Sequence, residues 1–225
     1  VVSWWDLNES TGTRYDRHGT NHLTASASSP TYAAGIASGQ PYFDGDLISS
    51  MRDKSGNGKH FIQSTVAAKP TYKPNFKNGN GVVRFDGVDD YLQIAAGLTV
   101  AQPFSIVIVY KKLTSAGSGL YLYGSGGSTA SLRYDAAVSS RILKMFAGSA
   151  AGVSPGSAVP DDYVIVTSVF NGANSRISWY SLYENNGYTG TSSLTSPFAL
   201  GCVGGPSNYL NLDVCELIIY NRDLS

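Results

Sequence analysis

Asp86, Asp89 and Asp90 fall within one short stretch that also holds Gly87. Carboxylates joined by the main-chain carbonyls of a glycine-containing turn are the oxygens a hard cation prefers, so calcium is the ion this cluster suits. The plain alternative is that the three side chains cap a turn and face water. No other cofactor is called for. His18 and His22 stand in a Gly- and Thr-rich stretch with no helix to align them, and His60 is remote, so no zinc site is expected. Gly124-Ser125-Gly126-Gly127 lacks the strand–turn–helix context of a nucleophile elbow and reads as a loop. Neither Cys202 nor Cys215 has an electropositive setting that would activate it. No Gly-x-x-x-x-Gly-Lys-Ser/Thr phosphate loop occurs. Among acidic pairs, Asp161-Asp162 stays open on spacing alone.

A second chemistry is available to the tyrosines. Sugars are apolar on their C–H faces and polar at their edges, so an aromatic ring beside Asp, Asn and Gly amides suits them. The loop candidates are Tyr121 and Tyr123 beside Gly124–Gly127, Tyr188 after Asn185-Asn186-Gly187, and Tyr209 after Ser207-Asn208, with Asn208 as polar partner. Each has core packing as its alternative. Trp4-Trp5 points one ring to each face of a strand.

These residues need a β scaffold. Tyr numbers 15 and Gly 25, and Glu occurs only at Glu9, Glu184 and Glu216, which argues against helices with charged surfaces. Val82–Phe85, Tyr91–Ile94, Phe104–Tyr110, Leu120–Tyr123, Ile142–Phe146, Tyr163–Phe170, Ile177–Tyr183, Phe198–Val203 and Leu212–Tyr220 read as strands. Asn-Gly pairs at Asn57, Asn78, Asn80, Asn171 and Asn186 are hairpin signals, and Asn171-Gly172 is expected to join two strands. Phe85-Asp86-Gly87 reads as a strand ending in a turn: Phe inward, Asp bonding its own downstream backbone, Gly taking the turn. Many short strands with turns between them mean a sandwich or barrel. Cys202 and Cys215 either pair across adjacent strands or remain two buried thiols.

Three fragments recur: Asp16-Arg17-His18-Gly19 with Asp53-Lys54-Ser55-Gly56, Pro30-Thr31-Tyr32 with Pro70-Thr71-Tyr72, and Phe43-Asp44-Gly45 with Phe85-Asp86-Gly87. Residues 1–46 therefore read as a partial internal repeat. They are too short for a core of their own and are expected to pack on the main domain, residues 47–225, as one compact unit. Net charge is +0 and no basic run exceeds Lys111-Lys112, so nucleic acid is not an expected partner. The longest apolar run, Ile106–Val109, is too short for membrane insertion. The chain begins at Val1 rather than Met, so a missing leader carries no weight.

Asp53-Lys54-Ser55-Gly56-Asn57-Gly58, Val82-Val83-Arg84-Phe85-Asp86-Gly87-Val88-Asp89-Asp90-Tyr91-Leu92, Phe104–Val109 and Cys215–Ser225, taken in this order, resemble the laminin-G-like, concanavalin A-like jelly rolls of bacterial surface proteins and phage virions. The opening Trp4-Trp5-Asp6-Leu7-Asn8-Glu9 resembles their first strand. The resemblance implies an all-β fold, a two-sheet antiparallel jelly-roll sandwich with about six or seven strands per sheet. Some members hold calcium at a loop rim. Others are glucanases carrying Glu-x-Asp-x-x-Glu or a close variant. A retaining glycosidase needs two carboxyl groups about 5–5.5 Å apart, and here no Glu is followed two residues later by Asp.

The expectation is a non-catalytic carbohydrate-binding or adhesion module, not an enzyme, bound to a glycan or cell-surface polysaccharide. Its setting would be extracellular or a virion surface, as in a phage tail or capsid protein or a bacterial surface protein. The alternatives are a structural or protein-interaction domain among virion or surface proteins, and a hydrolase with an unrecognised site. Pairing through an edge strand would allow a homo-oligomer.

Overall fold

The computed structural model describes residues 42–224, apart from 114–119, 127–128, 135–141, 150–151, 155–156, 181–182 and 205. Residues 1–41, most of the N-terminal repeat with Trp4-Trp5, His18 and His22, lie outside the described residues. Sixteen strands occur among them, numbered in chain order. They are β1 (Ser50–Met51), β2 (Phe61–Ile62), β3 (Thr71–Lys77), β4 (Asn80–Asp86), β5 (Leu92–Ile94), β6 (Thr99–Val100), β7 (Phe104–Lys112) and β8 (Tyr121–Ser125). There follow β9 (Ser131–Tyr134), β10 (Leu143–Phe146), β11 (Val164–Phe170), β12 (Ser175–Trp179), β13 (Tyr183–Gly187), β14 (Leu194–Thr195), β15 (Phe198–Leu200) and β16 (Asn211–Tyr220).

Two seven-stranded antiparallel sheets form a sandwich, as expected of a jelly roll. One runs β1-β2-β5-β15-β8-β9-β10, the other β13-β12-β11-β7-β16-β4-β3. The short pair β6–β14 stands apart from both. Among the described residues no helix is long and apolar enough to cross a membrane.

Period-two alternation builds the core. In β7, Phe104, Ile106, Ile108 and Tyr110 are fully buried while Val107 and Val109 are half-buried. Phe85, Leu92, Leu132, Val166, Phe198 and Leu212 fill the same interior from both sheets. Each such side chain contributes about 1.5–3 kcal/mol. The Tyr110 and Tyr134 hydroxyls meet at 2.7 Å, one from each sheet, giving both buried phenols a partner.

The Asn171-Gly172 hairpin joins β11 to β12, as expected, through a short 3-10 turn (Gly172–Asn174). Asn78-Gly79 joins β3 to β4 with φ of 51° and 77°, the positive values a tight hairpin demands. Asn186-Gly187 belongs to edge strand β13 and is no turn. The expected strand Ile177–Tyr183 is broken instead at Tyr180, whose φ is 52°. The terminal strand β16 does not close an edge. It lies inside its sheet, between β7 and β4. No disulfide joins the cysteines. Cys202 is fully buried, and burial pushes its thiol up to about 12.

Candidate functional site

The turn after β4 forms as its residues dictate. Phe85 is buried at the strand end. Asp86 Oδ1 accepts the amide of Val88 at 2.8 Å, with those of Asp89 and Asp90 at 3.3 and 3.4 Å. Gly87 has φ of 78°, and a side chain there would lie 2.7 Å from the backbone nitrogen of Asn211. Glycine is thus required twice over, for its conformation and for the close approach of the turn to β16. Asp90 Oδ2 in turn accepts the Asp86 amide at 2.9 Å.

The turn gathers three carboxylates whose oxygens lie within 4.8 Å of one another. Asp90 is buried, and burial pushes its carboxyl up to about 6, with the charges of Asp86 and Asp89 adding to the shift. Asn211 pairs with Asp86 across the strands, and its buried side-chain oxygen has no hydrogen-bond partner. Asp86, Asp90 and Asn211 line one groove of about 480 Å³ together with Lys69, Thr71 and Arg84. This donor set is all hard oxygen, and its spacing fits the 2.3–2.6 Å bonds of calcium.

Arg84 does not compete for these carboxylates. Its Nε and one terminal nitrogen bond Asp213 at 2.7 and 2.8 Å, and the Tyr163 hydroxyl donates to the same carboxylate at 2.9 Å. Asp213 is fully buried, so this fork is what makes its charge tolerable.

Beyond Asp90 the chain places Tyr91, whose ring lies 6.3 Å from that of Tyr209, tilted by 46°. Burial raises the Tyr209 phenol, as do its neighbours Cys202, Tyr91 and Asp89. Tyr91 lines a second groove of about 230 Å³ with Ile62, Gln63, Ser64, Thr65, Gln93 and Ala95. Gln63 fixes one wall: its amide donates to the Tyr91 carbonyl at 3.2 Å and accepts the Thr65 amide at 2.9 Å. The Asp86–Tyr91 segment therefore borders both grooves, one charged and one not.

The structure sorts the expected sugar platforms. Tyr209 belongs to this rim. Asn208 is exposed, with φ of 56°, and its carbonyl accepts the Tyr121 amide at 3.1 Å, which brings Tyr121, Asn208 and Tyr209 to neighbouring positions. Tyr121 is half-buried, with its hydroxyl accepting from Arg133 at 2.7 Å. Tyr188 is exposed, just past edge strand β13 of the other sheet. Tyr123 is corrected: it is fully buried against Phe198, 5.7 Å between ring centres, and meets no ligand. The register of β8 on β9 shifts between Tyr121 and Tyr123, which parts a half-buried ring from a fully buried one. Tyr91, Gln93 and Gln63 were not singled out from sequence as site residues. Tyr91 reads there as an ordinary strand residue, and only its packing on Tyr209 marks it.

No protein family matches the chain by sequence, and no curated protein does. Solved structures share the sandwich. Domain 4 of AbnA, an extracellular GH43 arabinanase from Geobacillus stearothermophilus, in complex with arabinotriose, is similar with a TM-score of 0.56 at 13% identity. The match covers 79% of this chain and 93% of that one. A Trypanosoma rangeli sialidase in complex with 2,3-difluoro-KDN is similar with a TM-score of 0.55 at 17% identity, over 87% of this chain and 32% of that one. The chain thus spans about a third of the sialidase. These likenesses establish the fold, and the laminin-G resemblance stands at that level. They also overturn the expectation that the chain is not an enzyme, because the similar structures are parts of an arabinanase and a sialidase. The missing Glu-x-Asp-x-x-Glu pattern removes one catalytic arrangement and says nothing of Asp-based ones.

Proposed function

We propose that the sandwich is a glycan-recognition domain of a carbohydrate-active protein, with a sugar seated in the groove beside Tyr91. The observation that carries this reading is Tyr91, packed on Tyr209, lining a groove with hydroxyl and amide side chains, an aromatic face and polar groups that match the apolar face and polar edge of a sugar ring. The arabinotriose bound in the similar arabinanase domain, a neutral ligand, supports it. Asp86, Asp89 and Asp90 would hold calcium at the adjoining rim, supported by their all-oxygen donor set and the unpaired Asn211 oxygen. Calcium there would fix the turn that carries Tyr91. An extracellular or virion-surface setting belongs to the same reading, supported by low charge and Gly-, Ser- and Thr-rich loops.

The test is binding to a panel of oligosaccharides, followed by calorimetry. Tyr91→Ala and Tyr209→Ala should each weaken binding by about tenfold, corresponding to about 1.4 kcal/mol, while Tyr188→Ala leaves it unchanged. Wild-type affinity in both rim variants would reject the site.

A further inference from the structure

We infer that the groove beside Tyr91 selects a neutral sugar residue and turns away sugars that carry a carboxylate or sulfate. This rests on the glycan reading and names the ligand class that reading leaves open.

Of the side chains lining the groove, Ile62, Ser64, Thr65, Tyr91 and Gln93 do the recognising, and none is charged near neutral pH. Gln63 is committed to the protein at both ends of its amide. Ser64, Thr65 and Gln93 both donate and accept through their side chains, which matches sugar hydroxyls, themselves donors and acceptors. An anionic sugar would instead need a guanidinium or ammonium partner inside the groove. Lys59 reaches the neighbouring loop at Gly97 without lining the groove, and Arg84 is held by Asp213. On the other flank, the Asp86–Asp90 turn sets three carboxylates beside the aromatic pair. In the calcium-free protein a ligand carboxylate stacked on Tyr91 would meet like charge from this turn, and no cationic side chain lines the groove to offset it.

Size limits the ligand further. About 230 Å³ is less than the roughly 300–1,000 Å³ of sites that enclose a drug-sized ligand. A single ring fits against Tyr91, and the rest of a glycan chain must leave the groove.

The experiment is an NMR titration of the intact chain in EDTA, following the amides of Thr65, Tyr91 and Gln93. The ligands are neutral arabino-, xylo-, gluco-, manno- and galacto-trioses, and trigalacturonate as the charged counterpart of the last. At least one neutral triose should shift these amides, with trigalacturonate about tenfold weaker than the best of them. Asp89→Asn and high salt should each narrow that gap, because both weaken the repulsion without changing the groove. Trigalacturonate binding as tightly as the neutral trioses would overturn the selectivity and leave the glycan reading standing. A gap untouched by Asp89→Asn and by salt would overturn its electrostatic origin. If no triose binds at tens of millimolar, the glycan reading and the selectivity fall together.

Discussion

Asp90 carries an electrostatic load that the fold must bear. Its carboxyl titrates at about 6 in the native protein, against an ordinary value of 3.8. The native state therefore holds this proton more tightly than the unfolded chain. Stability from this group is fully present below about pH 4 and is lost as pH rises through 6. Because the side chain retains some solvent screening, the loss should be roughly 1–2 kcal/mol. Asp90→Asn keeps an oxygen for the Asp86 amide and removes the charge, so its stability should vary less between pH 4 and 7 than that of wild type. Calcium should supply the missing counter-charge: millimolar calcium should raise the wild-type Tm at pH 7 and leave that of Asp90→Asn unmoved. Chemical denaturation across pH, with and without calcium, decides both points. A wild-type stability that climbs from pH 4 to 7 relative to the variant would refute the assignment to Asp90. At this scale the turn was legible in sequence, since Asp86 and Gly87 act on their own neighbours. The Tyr91–Tyr209 contact was not, because it joins residues from distant parts of the chain.

Strands carry a different lesson. Alternation marks β7 plainly, because one face is a run of large apolar residues, and β11 nearly so, with Ser168 the one polar residue on its inward face; both lie well inside their sheet. β3 was missed, since Pro74 interrupts Thr71–Lys77. An edge strand tolerates proline where an inner one does not, and β3 is an edge. Tyr123 was misassigned for a similar reason: its face depends on a register shift that only the pairing of β8 with β9 defines. The polar tie between β4 and β16 makes a sharp prediction. Arg84→Met leaves the fully buried Asp213 carboxylate with only Tyr163 and should cost about 3–5 kcal/mol in urea denaturation. Adding Asp213→Leu to that variant should recover most of the loss, because a well-packed apolar pair avoids burying a charge. A double variant no more stable than Arg84→Met would show that packing rather than charge sets the cost.

For the whole molecule, the position of β16 matters most. It pairs with β7 on one side and β4 on the other, so the sheet has no continuous centre without it. A chain ending at Leu210 should give no dispersed NMR spectrum, whereas restoring Asn211–Tyr220 should; native-like dispersion in the shortened chain would contradict this. The C-terminal end of the described fold is anchored beside it. Ser105 donates to the Arg222 carbonyl at 2.8 Å and accepts the Leu224 amide at 3.1 Å, and Asp223 takes Arg176 and Asn171. During synthesis the ribosome delivers residues at about 5–20 per second. Every strand from β1 to β15 therefore emerges before the one that completes the sheet, and β4 and β7 must wait with a flank open. A cell making this chain holds it for seconds as an unfinished sheet, the interval in which it most needs a chaperone.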